Sequence, residues 1–100
     1  MKVLLNGKLV PTDNMMRVAG VRYGIGKFTL FERAVFKSEC GKYLQVNTVG
    51  DAWWNHIVKI REVTPNMIME LLEGQDIDQE TEEVLVKENL VEVVQCQETA

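Results

Sequence analysis

The chain has 100 residues, 46% of them hydrophobic and 26% charged, with a formal net charge of −4 at pH 7. This length suits one small domain, which we expect over residues 1–100. No run approaches the roughly 18 apolar residues of a membrane helix, and the apolar stretch in the opening MKVLLNGKLV is too short for a signal peptide. We therefore expect a cytoplasmic protein without a membrane segment.

Cysteine and histidine are too few for a disulfide framework or a zinc site. The chain has two cysteines, Cys40 and Cys96, and one histidine, His56. A structural zinc site needs four such ligands, and disulfide-rich domains carry more cysteines than this. No Ser, Cys or Asp stands at a recognisable catalytic spacing from His56. We therefore predict free thiols, no metal, no cofactor and no catalytic residue.

Charge is divided unevenly along the chain. Residues 1–61 carry ten basic and four acidic side chains, a net +6, whereas residues 62–100 carry one basic and eleven acidic side chains, a net −10. The two halves either attract each other or present a basic and an acidic binding surface. Because the acidic half repels phosphate groups, direct nucleic-acid binding is not expected.

The first residues predict a hairpin. An apolar strand over residues 2–10 is interrupted at Asn6-Gly7, and this dipeptide is the strongest short-range signal for a two-residue turn. Pro11 then ends the strand. Residues 12–20 are expected to form a loop or a weak turn of helix.

The stretch GVRYGIGKF, residues 20–28, has the glycines of a phosphate-binding loop but not its spacing. A Walker A loop has four residues between its glycines and a hydroxyl residue after the lysine. Here five residues separate Gly20 from Gly26, and Phe28 replaces the hydroxyl residue. A phosphate site is therefore not predicted. The glycines are instead expected to give unusual backbone angles where the chain enters a strand.

Three strands, over residues 27–37, 43–48 and 53–63, are predicted to form an antiparallel meander. Both faces of the first strand carry apolar side chains, so we expect both to be partly covered. In the third strand, strict alternation places two sets of residues on opposite faces, namely Trp54, His56, Val58 and Ile60 against Trp53, Asn55, Ile57 and Lys59.

The hydrophobic period changes at Thr64-Pro65, where a helix is predicted to begin. Threonine suits an N-cap, and proline is favoured at the first helical position. Met67, Ile68, Leu71 and Leu72 form an apolar stripe along this helix, and Gly74 stands where a left-handed C-terminal residue belongs.

A second helix is predicted to begin at Asp76 or Asp78, because acidic residues suit the positive end of the helix dipole. Asn89 ends it. The sequence LVEVV, residues 90–94, indicates either a closing strand or an apolar tail packed on the sheet. Residues 96–100 are expected to be a frayed tail.

Two stretches near the start, LNGKLVP and RYGIGKFTLFER, are similar to the opening of the fold-type IV pyridoxal-phosphate-dependent aminotransferases. In that family a strand with an Asn-Gly turn precedes a Y-G-x-G-x-F strand entry. The resemblance implies a fragment related to a pyridoxal-phosphate enzyme. The family's Schiff-base lysine has no counterpart in these 100 residues, so cofactor binding is not expected.

The second half, from KYLQVNTVGDAWWNHIVKIREV to NLVEVV, resembles the small winged-helix peptide-recognition domains of peptide-maturation systems. The shared features are a strand pair, a capped helix ending in E-G, an acidic second helix and the closing NLVEVV. The resemblance implies capture of a leader peptide as an added strand, in a groove between a sheet edge and the last helix.

One group of candidate binding residues lies on the third meander strand. Trp53 and Trp54 are adjacent in the strand, so they should point to opposite faces of the sheet. Either both rings pack in a core, one on each face, or one ring is exposed. An exposed tryptophan would be a binding anchor. His56, Lys59 and Arg61 follow on the same strand. The basic residues favour an acidic partner segment.

A second group lies on the second helix, where Glu80, Glu82 and Glu83 are expected to face water. Such acidic residues are commonly a solvated helix surface. The alternative is mimicry of phosphate charge, through which a small protein blocks an enzyme that binds nucleic acid.

We therefore expect an α+β fold, with a small antiparallel sheet made of a three-stranded meander and an N-terminal hairpin, followed by two short helices and a C-terminal strand. Residues 1–63 should be mainly β, and residues 64–95 mainly α with the closing strand. The favoured function is a non-catalytic protein- or peptide-binding module that uses an exposed strand edge, which could also form a homodimer. The alternatives are a phage or mobile-element inhibitor acting through its acidic helix, and the pyridoxal-phosphate-related fragment.

Overall fold

A computed structural model of the chain describes residues 2–25, 29–50 and 55–94. Its elements, in chain order, are β1 (Lys2–Leu5), β2 (Lys8–Pro11), β3 (Met16–Ile25), β4 (Thr29–Lys37), β5 (Tyr43–Gly50), β6 (Asn55–Glu62), α1 (Pro65–Leu72) and α2 (Gln79–Lys87). Strands β1 and β2 form a two-stranded sheet, and β3-β4-β5-β6 form a four-stranded antiparallel sheet in that order. The expected α+β fold is confirmed, and the meander has one strand more than expected.

The N-terminal hairpin forms as predicted. Leu5 pairs with Lys8 across a two-residue turn. The turn residues Asn6 and Gly7 both have positive φ, 51° and 75°. This conformation belongs to the primed turns that match the twist of a hairpin, and asparagine followed by glycine adopts it most readily.

Strand β3 corrects the expectation of a loop for residues 16–20, whereas residues 12–15 lie outside the strands as expected. Residues 16–25 pair along their length with β4, apart from a bulge at Val18. Gly20 and Gly24 lie inside this strand, and neither has a positive φ. The expectation of unusual backbone angles is therefore wrong for these two glycines, whereas Gly26 lies outside the described residues. Gly20 instead makes room for a side chain, because a Cβ there would collide with the Arg17 guanidinium.

The four-stranded sheet is covered on both faces at one end, as expected for β4. The helices cover the face that includes Val35, and the hairpin covers the face that includes Leu44. The helix-side cluster consists of Val18, Ala19, Val21, Val35, Val63, Ile68, Leu72 and Leu85. The hairpin-side cluster consists of Leu5, Val10 and Leu44, with Val3, Met15 and Ile60 packed against it.

The opposite end of the sheet extends beyond both clusters. We call residues 22–25, 29–32, 48–50 and 55–58 the distal sheet. Its apolar side chains include Tyr23 and Leu30, which are 41% and 55% exposed. The Cα radius of gyration, 15.6 Å, exceeds the roughly 13 Å typical of a compact domain of this length. The chain therefore presents a sheet surface that neither the helices nor the hairpin covers.

Both helices begin and end with the predicted residues. The Thr64 hydroxyl caps α1 by accepting from the Met67 amide, and Gly74 has a φ of +73° after it. The Asp78 carboxylate caps α2 by accepting from the Thr81 amide at 2.8 Å. Neither described helix is long and apolar enough to cross a membrane.

The predicted C-terminal strand is wrong for the described part of the tail. Residues 90–94 form no strand, and the four-stranded sheet ends at β3 and β6. Leu90 and Val91 pack against the helix-side cluster, as the alternative of an apolar tail predicted. The expected frayed tail, residues 96–100, lies outside the described residues.

Candidate functional site

The most distinctive surface is formed by basic side chains on the helix-bearing face of the sheet. Register places Arg33, Asn47 and Lys59 in one row across β4, β5 and β6. Arg61 pairs with Gln45 in the adjacent row. Directly paired residues in antiparallel strands share a face. We call these five residues the basic face.

Several other cations near the sheet form ion pairs with carboxylates. Arg17 and Arg22 both bind Glu32, with contacts of 3.2 and 2.6 Å. Lys42 binds Glu62 at 3.2 Å. Partial burial raises the pKa of Glu32, but the hydrogen bonds from Arg22 and Arg17 outweigh burial and hold that pKa below its ordinary value. These ion pairs weaken the attraction of Arg17, Arg22 and Lys42 for an external anion.

The cations of the basic face have no such partner. Within residues 2–25, 29–50 and 55–94, no carboxylate oxygen lies within 4.0 Å of the charged nitrogens of Arg33, Lys59 or Arg61. Three positive charges are therefore concentrated on one surface, and none of them forms an ion pair within the described residues. Such a surface attracts an anionic ligand.

A neutral amide holds the Arg61 guanidinium in place. Arg61 Nε and Nη2 donate to Gln45 Oε1 at 3.2 and 3.0 Å. Gln45 is only 5% exposed, and its Nε2 donates to Asn47 Oδ1 at 2.8 Å. The guanidinium is thereby oriented while its full charge and its remaining N–H donors stay available.

Aromatic rings support the second guanidinium. Arg33 Cζ lies 5.8 Å from the ring centroid of Tyr23 and 5.6 Å from that of Phe31. The two rings lie 6.3 Å apart, centroid to centroid. Cation–π contacts of this kind orient an arginine without neutralising it.

A cleft connects the basic face to the first helix. It has a volume of about 300 Å³ and is lined on the sheet side by Arg33, Gln45 and Arg61. On the helix side, it is lined by Met67, Glu70 and Leu71. The cleft therefore combines two guanidinium groups, an apolar wall and one carboxylate.

Strand β6 is an outer strand with two chemically different faces. A bulge lies at Val58, because Asn47 pairs with Lys59 whereas Thr48 pairs with Ile57. The bulge shifts the alternation, so His56 shares a face with Lys59 and Arg61. Ile57 shares the other face with Ile60. The predicted grouping of His56 with Ile60 is therefore wrong.

Side chains along β6 are well exposed. His56, Lys59 and Arg61 are all exposed to solvent. Ile57 and Val58 are 55% and 58% exposed. Trp53 and Trp54, the expected anchor residues, lie outside the described residues.

The acidic residues of the second helix form a separate surface. Glu80, Glu82 and Glu83 are exposed on α2, as expected. Helix α2 packs against β3, and β3 and β6 are the two outer strands of the sheet. The structure therefore does not bring the acidic and basic candidate residues together.

Sequence reasoning missed Arg33, Gln45 and Asn47. Their signal was the alternation within β4 and β5, which places each on the face opposite Phe36 and Leu44. The alternation alone does not show that these residues lie beside Lys59, because that placement depends on the pairing register of the strands. In the part of the chain that the structure describes, no group of three or more His, Cys, Asp or Glu side chains could hold a metal ion.

Comparison with protein-family models, with curated proteins and with solved structures finds no significant match to this chain.

Proposed function

We propose that this protein is a non-catalytic peptide-binding module that captures an extended acidic segment of a partner protein as an added strand along β6. The observation that supports the proposal is a cluster of three cations beside an exposed outer strand, namely Arg33, Lys59 and Arg61, which form no ion pair within the described residues. Backbone hydrogen bonds to the edge would supply affinity, and side-chain contacts on alternating faces would supply specificity.

The two faces of β6 define the preferred sequence of the segment. Successive side chains of an added strand point to opposite faces. One set would lie beside Lys59 and Arg61, where acidic side chains form favourable cross-strand pairs, and the other beside Ile57 and Ile60, where apolar side chains fit. The best ligand is therefore a strand in which acidic and apolar residues alternate.

A second copy of the chain is a poorer occupant of this edge. Pairing β6 with β6 would bring Lys59 and Arg61 close to the same cations of the other copy. Basic side chains on an edge strand discourage its association with a second basic edge. A homodimer through β6, considered from the sequence, is thus disfavoured relative to an acidic partner.

Nucleic acid is also a poorer occupant than an acidic peptide. Glu70 lines the cleft at one end of the basic face. The net charge of the chain is −4, so a long polyanion would be repelled beyond the basic face itself. A cytoplasmic location is part of the proposal, and the exposed free thiol of Cys40 suits a reducing compartment.

A second candidate function uses α2. Glu80, Glu82 and Glu83 are exposed on α2, which packs against β3, the outer strand opposite β6; such a helix suits an inhibitor that imitates phosphate charge. The test below distinguishes the two functions, because only the first depends on Lys59.

The test is fluorescence anisotropy with a labelled peptide of about eight residues, the length of a typical strand, in which glutamate and valine alternate. A peptide of the same composition, with all glutamates before all valines, is the matched control. The alternating peptide should bind at least tenfold more tightly, and binding should protect the amides of β6 from hydrogen exchange.

Variants of the protein locate the site. Lys59→Glu should weaken binding by about tenfold, which corresponds to about 1.4 kcal/mol. Lys2→Glu, an exposed lysine on the hairpin, is the matched control and should change affinity little. Equal binding of the two peptides, or tighter binding of a labelled oligouridylate than of the alternating peptide, would overturn the proposal.

A further inference from the structure

We infer that the cleft between α1 and the sheet binds the C-terminal carboxylate of the captured segment, so that the preferred ligand is a chain end. This inference rests on the proposed strand addition along β6. It begins from Arg61, which belongs both to the outer strand and to the lining of the cleft.

The Arg61 guanidinium is oriented but has no carboxylate partner within 4.0 Å among residues 2–25, 29–50 and 55–94. Two of its nitrogens are fixed by Gln45 Oε1, and Gln45 is buried and tied to Asn47. An arginine held this way loses little side-chain freedom when a ligand binds. A planar carboxylate matches the remaining N–H donors of the guanidinium.

The other groups of the cleft favour a carboxylate over a phosphate. Glu70 adds one negative charge beside Arg33 and Arg61. This charge opposes a dianion more strongly than a monoanion. Met67 and Leu71 provide an apolar wall, which suits the side chain of an apolar last residue.

The position of α1 favours a chain end over an internal acidic residue. The helix is anchored on the sheet by Ile68 and Leu72, which are 0% and 8% exposed. A segment added along β6 whose end turns over Arg61 into the cleft therefore meets the helix. A terminal carboxylate with its last side chain fits in the cleft, whereas a continuing chain would have to turn away.

The inference fixes the direction of the bound strand. Arg61 is the last residue but one of β6, Asn55–Glu62. A strand whose C-terminus lies at Arg61 must therefore run parallel to β6, with its N-terminus near His56. Strand addition alone does not require this direction.

The test compares the alternating glutamate and valine peptide, extended by one more valine so that its last side chain points to the helix-bearing face, with a free C-terminal acid or with a C-terminal amide. The free acid should bind the wild-type chain at least tenfold more tightly in anisotropy titrations. Equal affinity of the two forms would overturn the terminal site and leave strand addition standing. Failure of both forms to bind at millimolar protein concentration would overturn both proposals.

Variants separate the terminal site from general charge attraction. Arg61→Gln should remove the preference for the acid form, and Gln45→Leu should reduce it by releasing the guanidinium. Lys59→Gln should weaken both forms by a similar factor and keep their ratio. Because Gln45 is buried, circular dichroism and thermal melting must first show that Q45L is folded; the exposed Arg61 variant gives the result independently.

Two further measurements complete the test. Inorganic phosphate and acetate are titrated as competitors of the acid peptide, and stronger displacement by phosphate would overturn the assignment to a carboxylate. A nitroxide at the N-terminus of the peptide should broaden the amide resonance of His56 more than that of Glu62. The reverse order would show an antiparallel strand and overturn the terminal site.

Discussion

Lys37 and Glu88 join the end of β4 to the end of α2, with Lys37 Nζ lying 2.5 Å from Glu88 Oε2. The Tyr43 hydroxyl donates to the same oxygen at 3.3 Å. The paired residues are 51 positions apart in sequence. This contact therefore fastens the acidic half of the chain to the basic half at a point away from the basic face.

The first prediction concerns the pH dependence of this contact. The hydrogen bond from Lys37 holds the pKa of Glu88 below its ordinary value, so the folded state binds fewer protons than the unfolded state in acid solution. The contribution of this ion pair to stability is present above the unfolded pKa of Glu88 and is lost as the pH falls through its lowered folded pKa. The pKa of Lys37 is raised chiefly by the same hydrogen bond, so its contribution persists until strongly alkaline pH.

Glu88→Gln should therefore lower the melting temperature at pH 7 and have less effect at pH 3. The measurement is thermal unfolding followed by circular dichroism between these two values. Glu92→Gln, at an exposed position four residues after Glu88, is the matched control and should not alter the pH dependence of the melting temperature. An E88Q chain that melts like wild type at pH 7 would show that the ion pair contributes nothing to folding.

The second prediction concerns the packing of α1 on the sheet. Ile68 is 0% exposed and belongs to the helix-side cluster. Ile68→Ala should lower the free energy of unfolding by about 3 kcal/mol, because it removes buried methyl groups and leaves a cavity. The measurement is urea denaturation.

Ile57→Ala is the matched control, because Ile57 is 55% exposed on the distal sheet. It should change stability by no more than about 0.5 kcal/mol and should nevertheless weaken binding of the alternating peptide. Equal destabilisation by I57A and I68A would contradict the assignment of Ile57 to an uncovered face.

The third prediction concerns the start of the helix that forms one wall of the cleft. The Thr64 hydroxyl accepts from the Met67 amide at 3.3 Å. Thr64→Ala should cost about 1 kcal/mol of stability, whereas Thr64→Ser retains the hydroxyl and should cost less. If serine and alanine destabilise the chain equally, the methyl group of threonine, and not the cap, supplies the stabilisation.

Local signals in the sequence predicted several elements well. Asn6-Gly7 specifies its turn because both residues adopt positive φ at low cost. Thr64-Pro65 and Gly74 mark the two ends of α1 for similarly local reasons. These features depend on residues within a few positions of one another, so the sequence alone indicates them.

The features that the sequence did not predict, namely strand β3 and the basic face, depend on pairing between strands that are distant in sequence. Strand β3 contains Gly20 and Gly24, which are poor strand formers, and the bulge at Val18 interrupts its alternation. It is a strand because β4 pairs with it. The bulge at Val58 likewise moved His56 to the face of Lys59 and Arg61. The basic face depends on register across three strands, which no single stretch of sequence specifies.

The last prediction tests whether the acidic helix takes part in peptide binding. Glu80, Glu82 and Glu83 lie on α2, which packs against β3, whereas the basic face reaches the opposite outer strand. Replacing all three by glutamine should therefore change affinity for the alternating peptide by less than about twofold, and any change should be a gain, because distant like charges are removed. Stability should change little, since exposed charges contribute little to folding.

Anisotropy titrations at low and high salt should show the same salt dependence of peptide affinity for this triple variant as for wild type, whereas Lys59→Gln should flatten that dependence. A tenfold loss of affinity in the triple variant would place α2 in the binding surface and favour the inhibitor function over capture along β6.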